Sequence, residues 1–124
     1  MKKIIFTLTI LTSFSSFASS SLECGLFKGA AAGKPVIKVK ANLNNNEINS
    51  YETNQEEQAS LSIVSQEGNF LRIRISQPED FNELILDKDI LLSMNEGKSF
   101  GLVINGAKEE KKMSAVCYKG NAPF

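Results

Sequence analysis

Short segments in which apolar and polar residues alternate are the feature that most constrains how this chain can fold. Between residues 71 and 75, Leu71, Ile73 and Ile75 alternate with Arg72 and Arg74. Because successive side chains of a β-strand point to opposite faces, this period predicts strands with one buried face and one solvent-facing face. The residues that share the predicted inward face of the other segments are Leu22, Cys24 and Leu26; Ile37, Val39, Ala41 and Leu43; Ala59, Leu61 and Ile63; Phe100, Leu102 and Ile104; and Met113, Ala115 and Cys117.

Turn residues separate these segments at short intervals. Residues 44–46 are three asparagines, residues 67–69 contain a glycine, and Asn105-Gly106 is a strong signal for a tight hairpin. Strands joined by short turns usually pair with their neighbours in an antiparallel sheet. The sequence therefore predicts an all-β domain of seven to eight short antiparallel strands, folded as a small barrel or as a two-layer sandwich.

Residues 78–86 allow a second interpretation. Pro78 followed by two acidic residues is typical of a helix start, and Leu84 and Ile85 follow Phe81 at helical spacing. The apolar residues from Leu84 onward also fit the parity of a strand. We expect one short helix, or a loop, near residues 78–86, leading into further strands.

The start of the chain predicts export. In residues 1–18, two lysines precede an apolar stretch over residues 4–14, and Ser16 and Ala18 satisfy the small-x-small rule for a signal peptidase. Cleavage after Ala18 would leave residues 19–124 as a single domain, periplasmic or secreted. The apolar stretch is shorter than the roughly 20 residues of a spanning helix, so we expect no membrane span in the mature chain.

The chain has two cysteines, Cys24 and Cys117, one near each end of the mature domain. In an oxidising compartment such a pair predicts one disulfide bond, rather than two free thiols. The bond would bring the first and last strands together. Lipid modification of Cys24 is not expected, because Glu23 occupies the preceding position, where a lipoprotein signal has a small residue.

The composition excludes several kinds of chemistry. The chain has no histidine, which removes Ser-His-Asp and Cys-His catalysis and histidine-ligated metal sites. We therefore expect no enzyme activity, no catalytic or metal-binding residue and no cofactor. Acidic and basic residues balance, 14 of each, so a nucleic acid is not an expected partner. The acidic residues that leave a carboxylate-based hydrolase open are Asp80, Glu83, Asp87 and Asp89.

Two pairs of basic residues form a candidate binding surface. Arg72 and Arg74 share one face of a predicted strand, and Lys38 and Lys40 share one face of another. If these strands are neighbours, the four side chains would line an anion-binding face. The alternative is an ordinary solvated outer face of a sheet.

These observations favour an exported, non-catalytic binding or interaction module. Its partner would be a protein, a peptide or a small ligand of the cell envelope, held by loops at residues 28–35, 44–46, 54–58 and 77–82. An inhibitor of an envelope hydrolase would be one example. A lipocalin-like barrel with a small ligand in its lumen is the first alternative. A carboxylate-based hydrolase is the second, and the oligomeric state stays open.

Overall fold

The computed structural model describes residues 20–104 and 112–124 of the chain. The predicted signal peptide and the Asn105-Gly106 pair lie outside the described residues. The described part forms eight strands and one short helix. Their bounds are β1 Ser21–Lys28, β2 Ile37–Asn42, β3 Asn49–Asn54, β4 Ala59–Gln66, β5 Phe70–Gln77, β6 Asp80–Asp87, α1 Lys88–Ser93, β7 Ser99–Ile104 and β8 Met113–Lys119.

The strands form two four-stranded antiparallel sheets, in the orders β2-β1-β8-β7 and β3-β4-β5-β6. The all-β prediction is confirmed. The first and last strands pair, so the strand order is that of a meander whose two ends meet. The hydrogen-bonded ladder is interrupted between β2 and β3 and between β6 and β7. Of the two predicted architectures, the two-layer sandwich is therefore the one observed.

Asparagine side chains connect the sheets at these two junctions. The Asn54 Nδ2 donates to the carbonyl oxygen of Val36 at 3.1 Å, which joins the end of β3 to the start of β2. The Asn82 Nδ2 donates to the carbonyl oxygen of Val103 at 2.8 Å, which joins β6 to β7. Side-chain amides thus satisfy carbonyl groups at sheet edges where no strand pairs.

The predicted inward faces form the core. Ile63 of β4 lies opposite Ile73 of β5 in the strand register, and both side chains are fully buried. All the residues assigned to an inward face are buried, apart from Phe100, which is half-buried and packs against the core. The period-2 pattern is clearest in β2, β4 and β5, where buried residues alternate with residues that are exposed or half-buried.

The predicted disulfide bond is confirmed. Cys24 of β1 and Cys117 of β8 are direct partners in the strand register, and their sulfur atoms are bonded. Both residues are fully buried. The bond lies within one sheet, between neighbouring strands, so it fixes the pairing of the first strand with the last rather than crossing the sandwich.

The expected helix near residues 78–86 is not formed. These residues belong mainly to strand β6, which pairs with β5 along its whole length, and the short helix α1 follows it. Leu84 and Leu86 pack against the core, as strand parity requires. The helix starts one residue after Asp87, whose side chain accepts a hydrogen bond from the backbone N–H of Asp89 at 2.8 Å. Sheet pairing therefore outweighed the local helix-start signal, and the N-cap lies at Asp87.

The interior also contains a charged side chain. Lys119, the last residue of β8, is fully buried. Its ammonium group donates to the carbonyl oxygens of Leu91, Leu92 and Met94 at 2.7, 2.8 and 3.1 Å. These carbonyls lie at the end of α1, where a helix leaves acceptors unpaired. Burial lowers the pKa of Lys119 below its usual 10.5, while the charge of Glu96 raises it.

Candidate functional site

The outer face of the sheet β3-β4-β5-β6 combines exposed rings, aliphatic side chains and two arginines. Tyr51, Ser62, Arg74 and Glu83 follow one another across the four strands in register. The small side chain of Ser62 leaves no large group between Tyr51 and Arg74. We call this surface the aromatic–arginine face, and it consists of Tyr51, Arg72, Arg74, Phe81, Glu83 and Ile85.

An ion cluster lies at the centre of the aromatic–arginine face. Glu83 Oε2 is 3.8 Å from Arg72 Nε and 3.9 Å from Arg74 Nη1. These separations suit ion pairs but exceed hydrogen-bond distances. Within residues 20–104 and 112–124, neither the Nε of Arg72, the Nε of Arg74 nor Glu83 Oε2 makes a hydrogen bond. These three atoms are buried in the cluster, and the carboxylate of Glu83 holds the two guanidinium groups together by ion pairing.

Phe81 supports Arg74 from the neighbouring strand. The Arg74 Cζ atom lies 4.0 Å from the centroid of the Phe81 ring, which is a cation–π contact. Phe81 is 52% exposed, so its ring contacts the arginine and solvent rather than the core. This contact makes the Arg74 guanidinium group part of a mixed apolar and cationic surface.

The apolar part of the face is unusually exposed for a sheet. Tyr51 is 65% exposed and Ile85 is 53% exposed, on opposite edges of the sheet. Phe70, at the start of β5, is also an exposed ring. The outward face of an antiparallel sheet is ordinarily polar. Exposed aromatic rings beside arginines are instead typical of the central part of protein interfaces.

The structure does not bring the four predicted cations together. Lys38 and Lys40 lie on the outward face of β2, which belongs to the other sheet. Lys38 Nζ donates to the carbonyl oxygen of Phe124, and Lys40 Nζ donates to Asn121 Oδ1, both at 3.4 Å. The lysine pair therefore contacts the last residues of the chain, and the arginine pair alone remains as the candidate anion-binding group.

The acidic residues considered for a hydrolase have local partners. Asp80 Oδ1 accepts from the backbone N–H of Phe81 at 2.8 Å, and Asp87 caps helix α1. Glu83 belongs to the ion cluster, and Asp89 lies in the first turn of the helix. Acidic side chains at a helix start stabilise the helix dipole. These positions are explained by local structure without a reaction.

The outer face of the other sheet, β2-β1-β8-β7, has a concave region. It is a cleft of about 220 Å³ lined by Phe27, Ala31, Ala32, Gly33, Val116, Tyr118, Pro123 and Phe124. The ring of Phe124 makes edge contacts with Phe27 and Tyr118, at centroid distances of 5.5 and 5.8 Å. The same ring lies over Gly25, where a Cβ atom would be 2.8 Å from Phe124 Cζ. Part of the predicted binding loop 28–35 thus forms one wall of this cleft.

Several residues of the aromatic–arginine face were not identified from the sequence. Arg72 and Arg74 were assigned to one outward face, and Glu83 was considered only as a hydrolase carboxylate. Tyr51, Phe81 and Ile85 were not assigned to a site. If residues 78–79 had been interpreted as a two-residue hairpin turn, Glu83 would have been placed opposite Arg74, because such a turn fixes the strand register.

The fold and the face define an all-β, disulfide-linked sandwich with one exposed mixed apolar and cationic sheet surface. Comparison of the chain with protein-family models, with curated proteins and with solved structures found no match. Within the described ranges, no helix has the length and apolar character needed to cross a bilayer.

Proposed function

We propose that the chain is an exported, non-catalytic binding module that docks a protein partner on the aromatic–arginine face. The observation that carries this proposal is the placement of two partly exposed arginine side chains beside exposed aromatic and aliphatic side chains. Arginine and aromatic residues are the types that contribute most to binding energy at protein interfaces.

The exposed side chains of this face contribute little to folding. Tyr51, Phe81 and Ile85 point away from the core, since their strand neighbours on either side have the opposite orientation. An apolar side chain that stays in water gains no burial energy. Contact with a partner would remove these rings from water, which supports binding as the reason for their presence.

Strand pairing orders the backbone of the face before any partner binds. Its residues lie on paired strands, and β4 and β5 are the two central strands of the sheet. Both central strands bury a full apolar row against the opposite sheet. A surface that does not have to become ordered loses less entropy on association. This supports a sheet-face docking site over the flexible loops that the sequence suggested.

Export is part of the proposal. The buried disulfide bond is compatible with an oxidising compartment, where such bonds form and persist. The pattern of residues 1–18 supports the same location, periplasmic or secreted.

The lipocalin-like alternative has less support. A ligand in the interior would need open space between the sheets, and large fully buried side chains from both sheets fill that region. The residues concerned include Leu22, Leu26, Leu61, Ile63, Leu71, Ile73 and Ile75.

Site-specific photo-crosslinking in the cells that make the protein tests this function. A photoreactive amino acid replaces Tyr51 on the aromatic–arginine face or, as the matched control, Lys40 on the other sheet. We expect a defined covalent adduct with a second protein from position 51, and an adduct yield at least about ten-fold lower from position 40. Adding the double substitution Arg72→Gln and Arg74→Gln should remove most of the adduct from position 51.

Two results would contradict the proposal. Equal adduct yields from positions 51 and 40 would show that the aromatic–arginine face has no preferred partner. An adduct whose mass equals two copies of the chain would show self-association in place of a different protein. Circular dichroism of each purified variant verifies that it has folded, so a loss of adduct cannot be assigned to unfolding.

A further inference from the structure

The ion cluster has one carboxylate for two arginines. Arg72 and Arg74 approach the same oxygen of Glu83, and the ion pairs are long, at 3.8 and 3.9 Å. A carboxylate can accept paired, short hydrogen bonds from a guanidinium fork, with donor–acceptor distances of about 2.7 to 2.9 Å. In the free protein, the cluster therefore consists of long ion pairs, without the short hydrogen bonds that a guanidinium–carboxylate pair can form.

The charge at this point is also unbalanced. The cluster combines two basic side chains with one acidic side chain, so it carries two positive charges and one negative charge. Its neighbours on the central strands are Ser62, Val64 and Ser76, which carry no charge. The next acidic side chain on the outward face of β6, Asp87, caps helix α1. One further carboxylate would balance the cluster.

From these observations we infer that the docked partner presents an acidic side chain to Arg72 and Arg74. In the free protein, Glu83 takes the place beside the two arginines that this carboxylate would occupy. This inference rests on the proposed docking function and names the chemistry of the partner. Glu83 lies on edge strand β6, and its side chain is 32% exposed although its Oε2 atom is buried in the cluster. A second carboxylate would displace this oxygen from the arginines.

The surroundings specify a protein segment as the source of the carboxylate. Phe81 and Ile85 flank Glu83 on the outward side of β6, at two residues before and two residues after it. They offer apolar contact on both sides of the charged centre. An anionic bilayer or a nucleic acid is held by larger arrays of cations than the two arginines found here. An acidic residue between apolar residues, in an extended segment, matches the face in both charge and contact.

The charge of Glu83 gives the inference a test with an unusual sign. If Glu83 occupies the place of the partner's carboxylate, Glu83→Gln removes a competitor and strengthens binding. If Glu83 instead organises the arginines for binding, the same substitution weakens it. The substitution is nearly isosteric and lies on the surface, so the fold should be kept.

The experiment is an NMR titration of the mature protein with two synthetic peptides, acetyl-Phe-Glu-Phe-amide and its glutamine counterpart. The Nε–H resonances of Arg72 and Arg74 and the backbone amides of β5 and β6 report binding. We expect the glutamate peptide to bind about ten-fold more tightly than the glutamine peptide. Glu83→Gln should tighten binding of the glutamate peptide by about three-fold or more, and Arg74→Gln should weaken it by about ten-fold. Lys38→Gln, on the other sheet, is the matched control and should leave the affinity unchanged.

The outcomes separate this inference from the docking function. Equal affinities for the two peptides, or weaker binding of the glutamate peptide by Glu83→Gln, would overturn the carboxylate inference. A crosslinked partner from position 51 would still support docking in that case. Conversely, the expected peptide affinities without any crosslinked protein would support the carboxylate site and overturn the proposal that a protein partner occupies the face in cells.

Discussion

Replacing both Cys24 and Cys117 by alanine is expected to lower the free energy of unfolding by about 4 kcal/mol. The bond joins residues 93 positions apart, so it constrains nearly the whole described chain in the unfolded state. It also fixes β1 beside β8, a pairing between the two ends of the meander that has the longest sequence separation in the fold. Because both cysteines are fully buried, the alanines leave small cavities that add to the loss.

Urea unfolding followed by circular dichroism measures this change in the free energy of unfolding. In a thermal unfolding experiment on the same variant, the melting temperature should fall by roughly 15 to 30 °C. Wild-type protein reduced in urea and kept under reductant is the control, because it loses the crosslink but keeps both side chains. Most of the stability loss should appear in that sample as well. If the reduced protein, with its two added hydrogens verified by mass, unfolds at the same urea concentration as the oxidised protein, the crosslink contributes little.

The core was predictable because the strands that supply most of it, such as β2, β4 and β5, bury one face only. Alternation placed Leu71, Ile73 and Ile75 inward and the arginines outward, and the strand register shows the same division. The choice between barrel and sandwich was not predictable from alternation. A meander with neighbouring strands has the same pattern in both architectures, and the difference lies in whether β2 bonds to β3 and β6 bonds to β7.

The candidate site was half predictable. Parity places Arg72 and Arg74 on one face, but the partners of these residues depend on where strand β6 begins. The acidic residues after Pro78 are typical of a helix start, so strand β6 was not predicted there. The position of Glu83 opposite Arg74 was therefore not predicted either. The expected neighbours Lys38 and Lys40 belong to the other sheet, and which strands share a sheet is decided by packing of the whole chain.

The two sheets differ in how their outer faces are used by the chain itself. The last residues cross the sheet that contains β1, and Phe124 covers Gly25 there. The aromatic–arginine face has no comparable cover among the described residues, and its largest rings are exposed. Because of this difference, the proposed docking site is on the sheet β3-β4-β5-β6, although the outward faces of both sheets carry basic residues.

Lys119→Met is expected to lower the free energy of unfolding at pH 7 by about 2 to 3 kcal/mol. Methionine fills a similar volume, but it leaves the part-buried carbonyl groups of Leu92 and Met94 without this donor, and Leu91 keeps only the bond from the Met94 N–H. An unpaired buried carbonyl is costly, and this cost exceeds the gain from removing a buried charge. Position 119 shares the inward parity of Ala115 and Cys117 in the alternating pattern. A lysine at this inward position is explained by the carbonyl groups at the end of helix α1, to which its ammonium group donates. Lys34→Met, at an exposed loop position, is the control and should change stability little.

The pH dependence of this difference has a definite sign. Burial lowers the pKa of Lys119 in the folded protein, so the unfolded chain binds this proton more tightly than the folded chain does. Stability therefore rises with pH in the window between the lowered pKa and the usual 10.5, and the Met variant lacks this rise. Urea unfolding of both proteins from pH 7 to pH 11 should show the wild-type advantage growing through that window. An advantage that stays constant or shrinks as the pH rises would mean that the three carbonyl groups and the charge of Glu96 favour the ammonium form at least as much as burial disfavours it.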